Sequence, residues 1–255
     1  MLKKQFLNVS AVCLLAAASS AVMAHLNIAQ ENVFALGDNP REYVEGSSAF
    51  INVNLPHDCS DADGNHYATT DVEVLLPNGT GIAGAFTSNH STGDVFGANA
   101  VMGVKQRMNQ TFEKNIVMKD TVDAFYSHGL RTEDARVMKW LEGEVDNDHY
   151  DNLEFKAGFP KIDPESCITK IELFFPSVQY CKSGFKTAWI GVADSKFGLS
   201  TAKTRVTERY AAHFSIVRSQ DNPLPASCGG VGETVEARPG TDEIDSYLDL
   251  SVDHD

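Results

Sequence analysis

Three features are scarce in this sequence: a second long apolar run, an excess of positive charge, and closely spaced cysteines. After the N-terminal region, no stretch reaches the roughly 20 apolar residues that cross a bilayer, so we expect no membrane anchor. Lys and Arg number 21 against 35 Asp and Glu, and a formal net charge of −14 opposes binding to nucleic acid. The absence of Cys-x-x-Cys argues against a thiolate zinc site or a thioredoxin-like redox centre.

The first 24 residues have the pattern of a secretory signal. Lys3 and Lys4 give a cationic start, an apolar stretch follows, and Val22 and Ala24 occupy the −3 and −1 positions of a cleavage site. We therefore expect the mature chain to begin at His25, with 231 of the 255 residues and a formal charge of −16 once the two lysines are lost. The predicted location is the periplasm of a Gram-negative bacterium, or the cell exterior.

Cysteine usage fits an exported protein. Four cysteines remain after the signal, at Cys59, Cys167, Cys181 and Cys228. An even number in an exported chain predicts two disulfides. Their spacing leaves all three pairings open.

Short alternating apolar runs dominate the mature chain. Examples are residues 50–55, 71–76, 171–175 and 188–192, and a proline ends or follows the first three. This pattern is typical of a β-sandwich. We therefore predict an all-β domain over residues 25–218, immunoglobulin-like or cupredoxin-like.

Two segments read as additions to that domain. Residues 80–100 are rich in Gly, Ala, Ser and Asn and predict a long inserted surface loop. Residues 219–255 carry prolines, glycines and scattered acids and predict an acidic, partly flexible tail. The helical signal is weak, with the short segments 121–126 and 202–212 as its best candidates.

Cleavage after Ala24 would create an unusual metal ligand. The α-amine of His25 and its imidazole Nδ1 can bind one ion together in a six-membered chelate ring. The amine has an ordinary pKa of about 7.7–8, so a metal ion displaces its proton near neutral pH. Nitrogen ligands favour copper over zinc in affinity. We therefore expect one copper ion, as Cu(II), at His25.

A series of short motifs follows His25 in a fixed order. In the first half these are His-Leu-Asn-Ile at 25–28, Gly-Ser at 46–47, Val-Asn-Leu-Pro-His-Asp-Cys at 53–59 and Thr-Thr-Asp-Val-Glu-Val-Leu-Leu-Pro-Asn-Gly at 69–79. In the second half they are Gly-Val-Lys at 103–105, Trp140, Asp-His-Tyr-Asp at 148–151, Phe-Pro-Ser-Val-Gln-Tyr-Cys at 175–181 and Trp-Ile at 189–190. By their order and endpoints, residues 25–195 resemble the YcnI-like (DUF1775) family of exported copper-binding domains.

The resemblance implies a β-sandwich that holds one copper ion through a single-histidine brace. The family's ligands are the N-terminal histidine, a carboxylate and a nearby tryptophan, and His25 and Trp189 match the first and the last. Asp58 stands where other members have a glutamate. His57 offers an imidazole beside it, and Glu73 is a further carboxylate candidate on a neighbouring strand.

The resemblance also implies a disulfide pairing. The cysteines that match Cys59 and Cys181 occur together in one branch of the family, which pairs these two. Cys167 is then left to pair with Cys228.

Three functions compete for this pattern. A copper-binding protein that stores copper, or exchanges it with another periplasmic chaperone or transporter, fits a brace with one weak carboxylate, because the ion stays open to a partner's ligand. A copper mono-oxygenase would need a second imidazole, for which His57 is the candidate. A metal-free module for adhesion or assembly would need no ordered site at His25. We expect the first of these, without catalysis.

Overall fold

The chain forms strands where apolar and polar residues alternate. The computed structural model describes residues 27–29, 41–55, 58–79, 82, 86–87, 99–191, 201–206 and 211–248, with 27–29 and 86–87 as backbone alone. Its strands are β1 (Asn27–Ala29), β2 (Glu42–Val44), β3 (Ser48–Leu55), β4 (Cys59–Ser60), β5 (His66–Tyr67), β6 (Thr69–Leu75), β7 (Phe86–Thr87), β8 (Met102–Gln106), β9 (Phe112–Tyr126), β10 (Leu130–Gly143), β11 (Asp151–Gly158), β12 (Lys161–Ile162), β13 (Ile168–Phe175), β14 (Ser177–Cys181), β15 (Phe185–Trp189), β16 (Thr204–Val206), β17 (Ala212–Val217) and β18 (Glu233–Ala237). Two 3-10 turns, Lys182–Gly184 and Ala226–Cys228, and the helix α1 (Thr241–Tyr247) complete the described elements. The prediction of an all-β chain is confirmed.

Within the described residues the strands form three larger sheets and two ribbons. The larger sheets have the orders β1-β3-β11-β8, β16-β15-β14-β6-β10-β9 and β18-β13-β17-β2, and the ribbons are β7-β12 and β4-β5. Most neighbours are antiparallel, whereas β13–β18, β15–β16 and β17–β2 are parallel.

One apolar core is shared by the three larger sheets. Ile51, Val53 and Leu55 of β3 are fully buried, and the residues between them are half-buried, as the period of two requires. The same core contains Trp140, Trp189 and aromatic residues of the third sheet. Sheets that pack inner faces together in this way are sandwich-like.

The six-stranded sheet buries a second apolar cluster on its other face. There Ile244 and Leu248, at the end of the chain, pack with residues of β6, β10, β14 and β15. The guanidinium of Arg136 donates a 2.7 Å hydrogen bond to Glu243, which fixes α1 to the sheet.

Residues 219–248 are therefore packed on the domain, where the composition led us to expect the start of an acidic tail. β18 pairs with β13, and α1 covers the six-stranded sheet. The composition does not predict this packing, because acids are scattered among the apolar residues there. Ile244 and Leu248, four residues apart, are buried, and Tyr247 packs beside them. Residues 249–255 lie outside the described part of the chain.

The helix predicted over 121–126 is wrong, because these residues form the end of β9, which pairs along its length with β10. Long-range pairing has overridden a weak local preference. Of the second candidate, residues 204–206 and 212 belong to strands. No helix in the described residues is long and apolar enough to cross a membrane.

The inserted segment is described only at a few positions. Phe86–Thr87 forms β7 and pairs with β12, and Ile82 is buried in the main core. The rest of 80–98 lies outside the described residues.

Two disulfides close long loops. They join Cys59 to Cys181 and Cys167 to Cys228, 122 and 61 residues apart, which is the pairing that the resemblance implies. The first bridge ties β4 to the end of β14, and the second fixes the segment that leads into β18.

Candidate metal centre

The start of β1 lies beside the end of β3. The two strands are antiparallel, and Asn27 faces Asn54. In such a pair the first residues of one strand lie next to the last residues of the other. The chain before Asn27 and the chain after Leu55 therefore leave the sheet at the same end. His25 and His57, each two residues from these strand ends, lie outside the described residues.

Asp58 is the first described residue after that end, and it is bonded to a histidine. Its side chain is 3 % exposed, and its Oδ1 lies 2.9 Å from Nδ1 of His66, whose side chain is 51 % exposed. The β4-β5 ribbon brings the two together by pairing Ser60 with His66. The result is a buried carboxylate behind a half-exposed imidazole.

Asp61 holds the turn between β4 and β5. Its carboxylate accepts 2.9 Å hydrogen bonds from the backbone amides of Asp63 and Asn65, from the Asn65 side chain and from the Tyr67 hydroxyl. These bonds, the one from the Asn65 side chain above all, lower the pKa of Asp61 to about 2. The same contact raises the pKa of Tyr67. An ionised Asp61 thus fixes the ribbon that carries His66.

The first disulfide attaches this ribbon to the face of the six-stranded sheet that carries Trp189. Beside the bond to Cys181, the sulfur of Cys59 accepts a 3.5 Å hydrogen bond from the Thr187 hydroxyl. Thr187 lies two residues before Trp189 on β15, so both side chains point to the same face. Trp189 is 4 % exposed and belongs to the main core. Asp58, next to Cys59, is therefore carried on the same face as Trp189.

Glu73 points to the opposite face. Val74 pairs with Ser177, and Ser177 pairs with Trp189, so these three side chains share one face. Glu73, the neighbour of Val74 in the strand, must point the other way. There its Oε1 accepts a 2.7 Å hydrogen bond from Lys139. Glu73 and Trp189 consequently do not share a site, and the Glu73 carboxylate is the ion-pair partner of Lys139.

The structure brings forward one residue that the sequence analysis did not select. His66 has no ligand-like spacing to another histidine. The metal-ligand candidates that precede it most closely in the sequence are His57 and Asp58, which belong to the motif at 53–59. Asp58 and His66 are eight residues apart and meet only because the chain reverses between them. The Asp-Ala-Asp-Gly segment at 61–64 is a turn signal that predicts such a reversal.

In the part of the chain that the structure describes, no group of three or more His, Cys, Asp or Glu side chains is arranged to hold a metal ion. Asp58 and His66 are two neighbouring side chains of these types, one fewer than such a group requires. Comparison with protein-family models gives no match for this chain, and comparison with curated proteins gives none either. The likeness to the YcnI-like family accordingly rests on the order of the motifs.

Proposed function

We propose that the mature chain is a periplasmic or secreted protein that binds one Cu(II) ion through the amine and imidazole of His25. The observation that carries the proposal is the register of β1 with β3. It directs the chain that starts at His25 to the strand end from which Asp58 and His66 follow. Amine and imidazole nitrogens bind Cu(II) more tightly than the other divalent first-row transition metals.

Storage or transfer of copper suits this arrangement better than catalysis. The brace lies at a chain terminus, so a ligand from another periplasmic copper chaperone or a transporter can reach the ion. Trp189 enters the proposal as the apolar wall of the site. An indole binds a cation weakly through its ring face, and it shields the ion more than it holds it.

The architecture supports the same assignment. We infer that the shared core belongs to a sandwich of the immunoglobulin-like or cupredoxin-like kind, which is the fold that the YcnI-like resemblance implies. Two disulfides are typical of proteins that fold in an oxidising compartment, which favours the periplasm or the cell exterior.

A calorimetric copper titration of two chains tests the proposal. The first begins at His25, and the second carries one additional alanine before His25 and is otherwise identical. The extension preserves every side chain but moves the free amine away from the imidazole. We expect one Cu(II) per chain for the first and loss of the tight binding for the second. Equal stoichiometric binding by both chains would refute the brace.

A further inference from the structure

We propose that His66 supplies a second imidazole to this copper site through its Nε2 atom, and that Asp58 positions the ring instead of binding the ion. The inference rests on the proposed function, because it names a further ligand of the same site. It also changes the role of Asp58, which the motif resemblance presents as the carboxylate ligand.

The hydrogen bond between Asp58 and His66 decides which ring nitrogen faces the ion. A carboxylate oxygen accepts a hydrogen bond from a ring N–H, so this contact favours the His66 tautomer that carries its hydrogen on Nδ1. The lone pair is then on Nε2, at the other side of the ring. Histidines that bind metals nearly always donate their second ring nitrogen to a carboxylate, a carbonyl or water, which fixes the tautomer and the ring orientation. The Asp58–His66 pair has the contact that this arrangement requires.

Burial separates the roles of the two side chains. The Asp58 side chain is 3 % exposed, whereas that of His66 is 51 % exposed. Nδ1 is the His66 ring atom that contacts the buried carboxylate, and Nε2 lies on the opposite side of the ring. An ion bound at Nε2 would therefore lie across the ring from the carboxylate.

Two restraints hold the His66 backbone in place. The Asp61 turn closes the ribbon in front of His66, and the Cys59–Cys181 bridge fixes its other strand to the six-stranded sheet. A ligand held on such a frame loses little freedom when it binds an ion.

Chain connectivity ties His25 and His66 to the same strand end. Asp58 is three residues after Leu55, and His25 is two residues before Asn27, so each link spans at most about 11 Å and about 7 Å when extended. The link from Leu55 leads to Asp58, which is hydrogen-bonded to His66. The link from Asn27 leads to His25, the residue of the proposed brace. Both begin at the end of the β1–β3 pair.

His149 provides a matched control. Its Nδ1 lies 2.5 Å from Oδ1 of Asp146, so the chemical pair is the same. However, the side chains of His149 and Asp146 are 73 % and 54 % exposed, and both residues lie on a turn after β10. Asp146 raises the pKa of His149 through this hydrogen bond. His149 also lies two residues before Asp151, which pairs with Leu55, so this pair is connected to the same end of the sheet. What it lacks is the buried carboxylate.

The test is a Cu(II) affinity measurement with pulsed electron paramagnetic resonance on the chain that begins at His25. His66→Ala should weaken binding at least 10-fold and remove one imidazole from the spectrum, while His149→Ala should change neither. Asp58→Asn should weaken binding about 10-fold to 100-fold. It should also alter the signal of the remote ring nitrogen, because that nitrogen is the Nδ1 that Asp58 contacts. A purely structural role for Asp58 would leave this signal unchanged.

The possible outcomes separate the two proposals. If the chain binds one copper ion at the amine of His25 and His66→Ala retains both the affinity and the spectrum, His66 is not a ligand and this inference alone is overturned. If Asp58→Asn removes an oxygen ligand while the imidazole count stays the same, Asp58 binds the ion directly and the assigned roles are wrong. If the unaltered chain binds no copper, both proposals fail. Thermal unfolding of each variant without copper checks that the fold is retained.

Discussion

Replacing both cysteines of the buried disulfide should destabilise the protein by several kcal/mol. Cys59 and Cys181 are 122 residues apart, and a chain-entropy treatment of a loop of this length gives about 4.9 kcal/mol at 25 °C. For Cys167 and Cys228, 61 residues apart, the same treatment gives about 4.3 kcal/mol. Halving the loop changes the closure term by only about 0.6 kcal/mol. The two bridges are therefore expected to contribute similar free energies, with an additional loss at the first because its sulfurs are buried.

Equilibrium unfolding in urea measures how much each cysteine variant lowers the free energy of unfolding. Trp140 and Trp189 are both buried in the main core, so their fluorescence reports global unfolding. We expect the Cys59→Ala/Cys181→Ala variant to lose about 3–5 kcal/mol, in line with the removal of native bridges elsewhere. The corresponding double variant of the other bridge should lose the same or less. A loss below about 1 kcal/mol at the first bridge would show that the loop between its ends is already restrained in the unfolded chain, contrary to this reasoning.

Two further predictions concern the β4-β5 turn and the C-terminal helix. The pKa of Asp61 is lowered from 3.8 to about 2, so its carboxylate stabilises the turn above about pH 4, and this contribution is lost as the pH falls through about 2. A carboxyl titration by NMR should give a midpoint near 2, and a midpoint near 4 would mean that the bonds from Asn65 do not hold in solution. Ile244→Ala should destabilise the protein by about 2–4 kcal/mol, because Ile244 is fully buried between α1 and the sheet. Hydrogen exchange over 241–248 should accelerate in this variant but not in Ser246→Ala, and equal exchange in both would contradict the docking of α1.

The strands were predictable because their pattern is local. Alternation identifies β3 and β6 from six residues each, and the chain forms strands over Ser48–Leu55 and Thr69–Leu75. The faces of those strands were not predictable, since a shift of one residue reverses every side chain. Glu73 therefore looked available to a site shared with Trp189, and only the register with β14 shows that it is not.

The C-terminal segment escaped prediction for a different reason. Its composition is acidic, and its contribution to the second apolar cluster consists of Ile244, Leu248 and the half-buried Tyr247. So few apolar residues in and just after a short helix give no clear periodic signal, because the helix is stabilised by packing on a distant sheet and not by its own sequence.

The candidate site was predictable in part. Asp58 stands out by its place in a motif, but His66 becomes a candidate only when the hairpin brings it 2.9 Å from that carboxylate. The expectation at His25 depends on where the signal ends and on the chemistry of a free amine.

The most direct test of the copper proposal is pulsed electron paramagnetic resonance of the Cu(II) form of the chain that begins at His25, with histidine nitrogens labelled. The proposal predicts one copper ion per chain, with a directly bound amine nitrogen and the imidazole of the same residue. A spectrum with no directly bound amine nitrogen would contradict it.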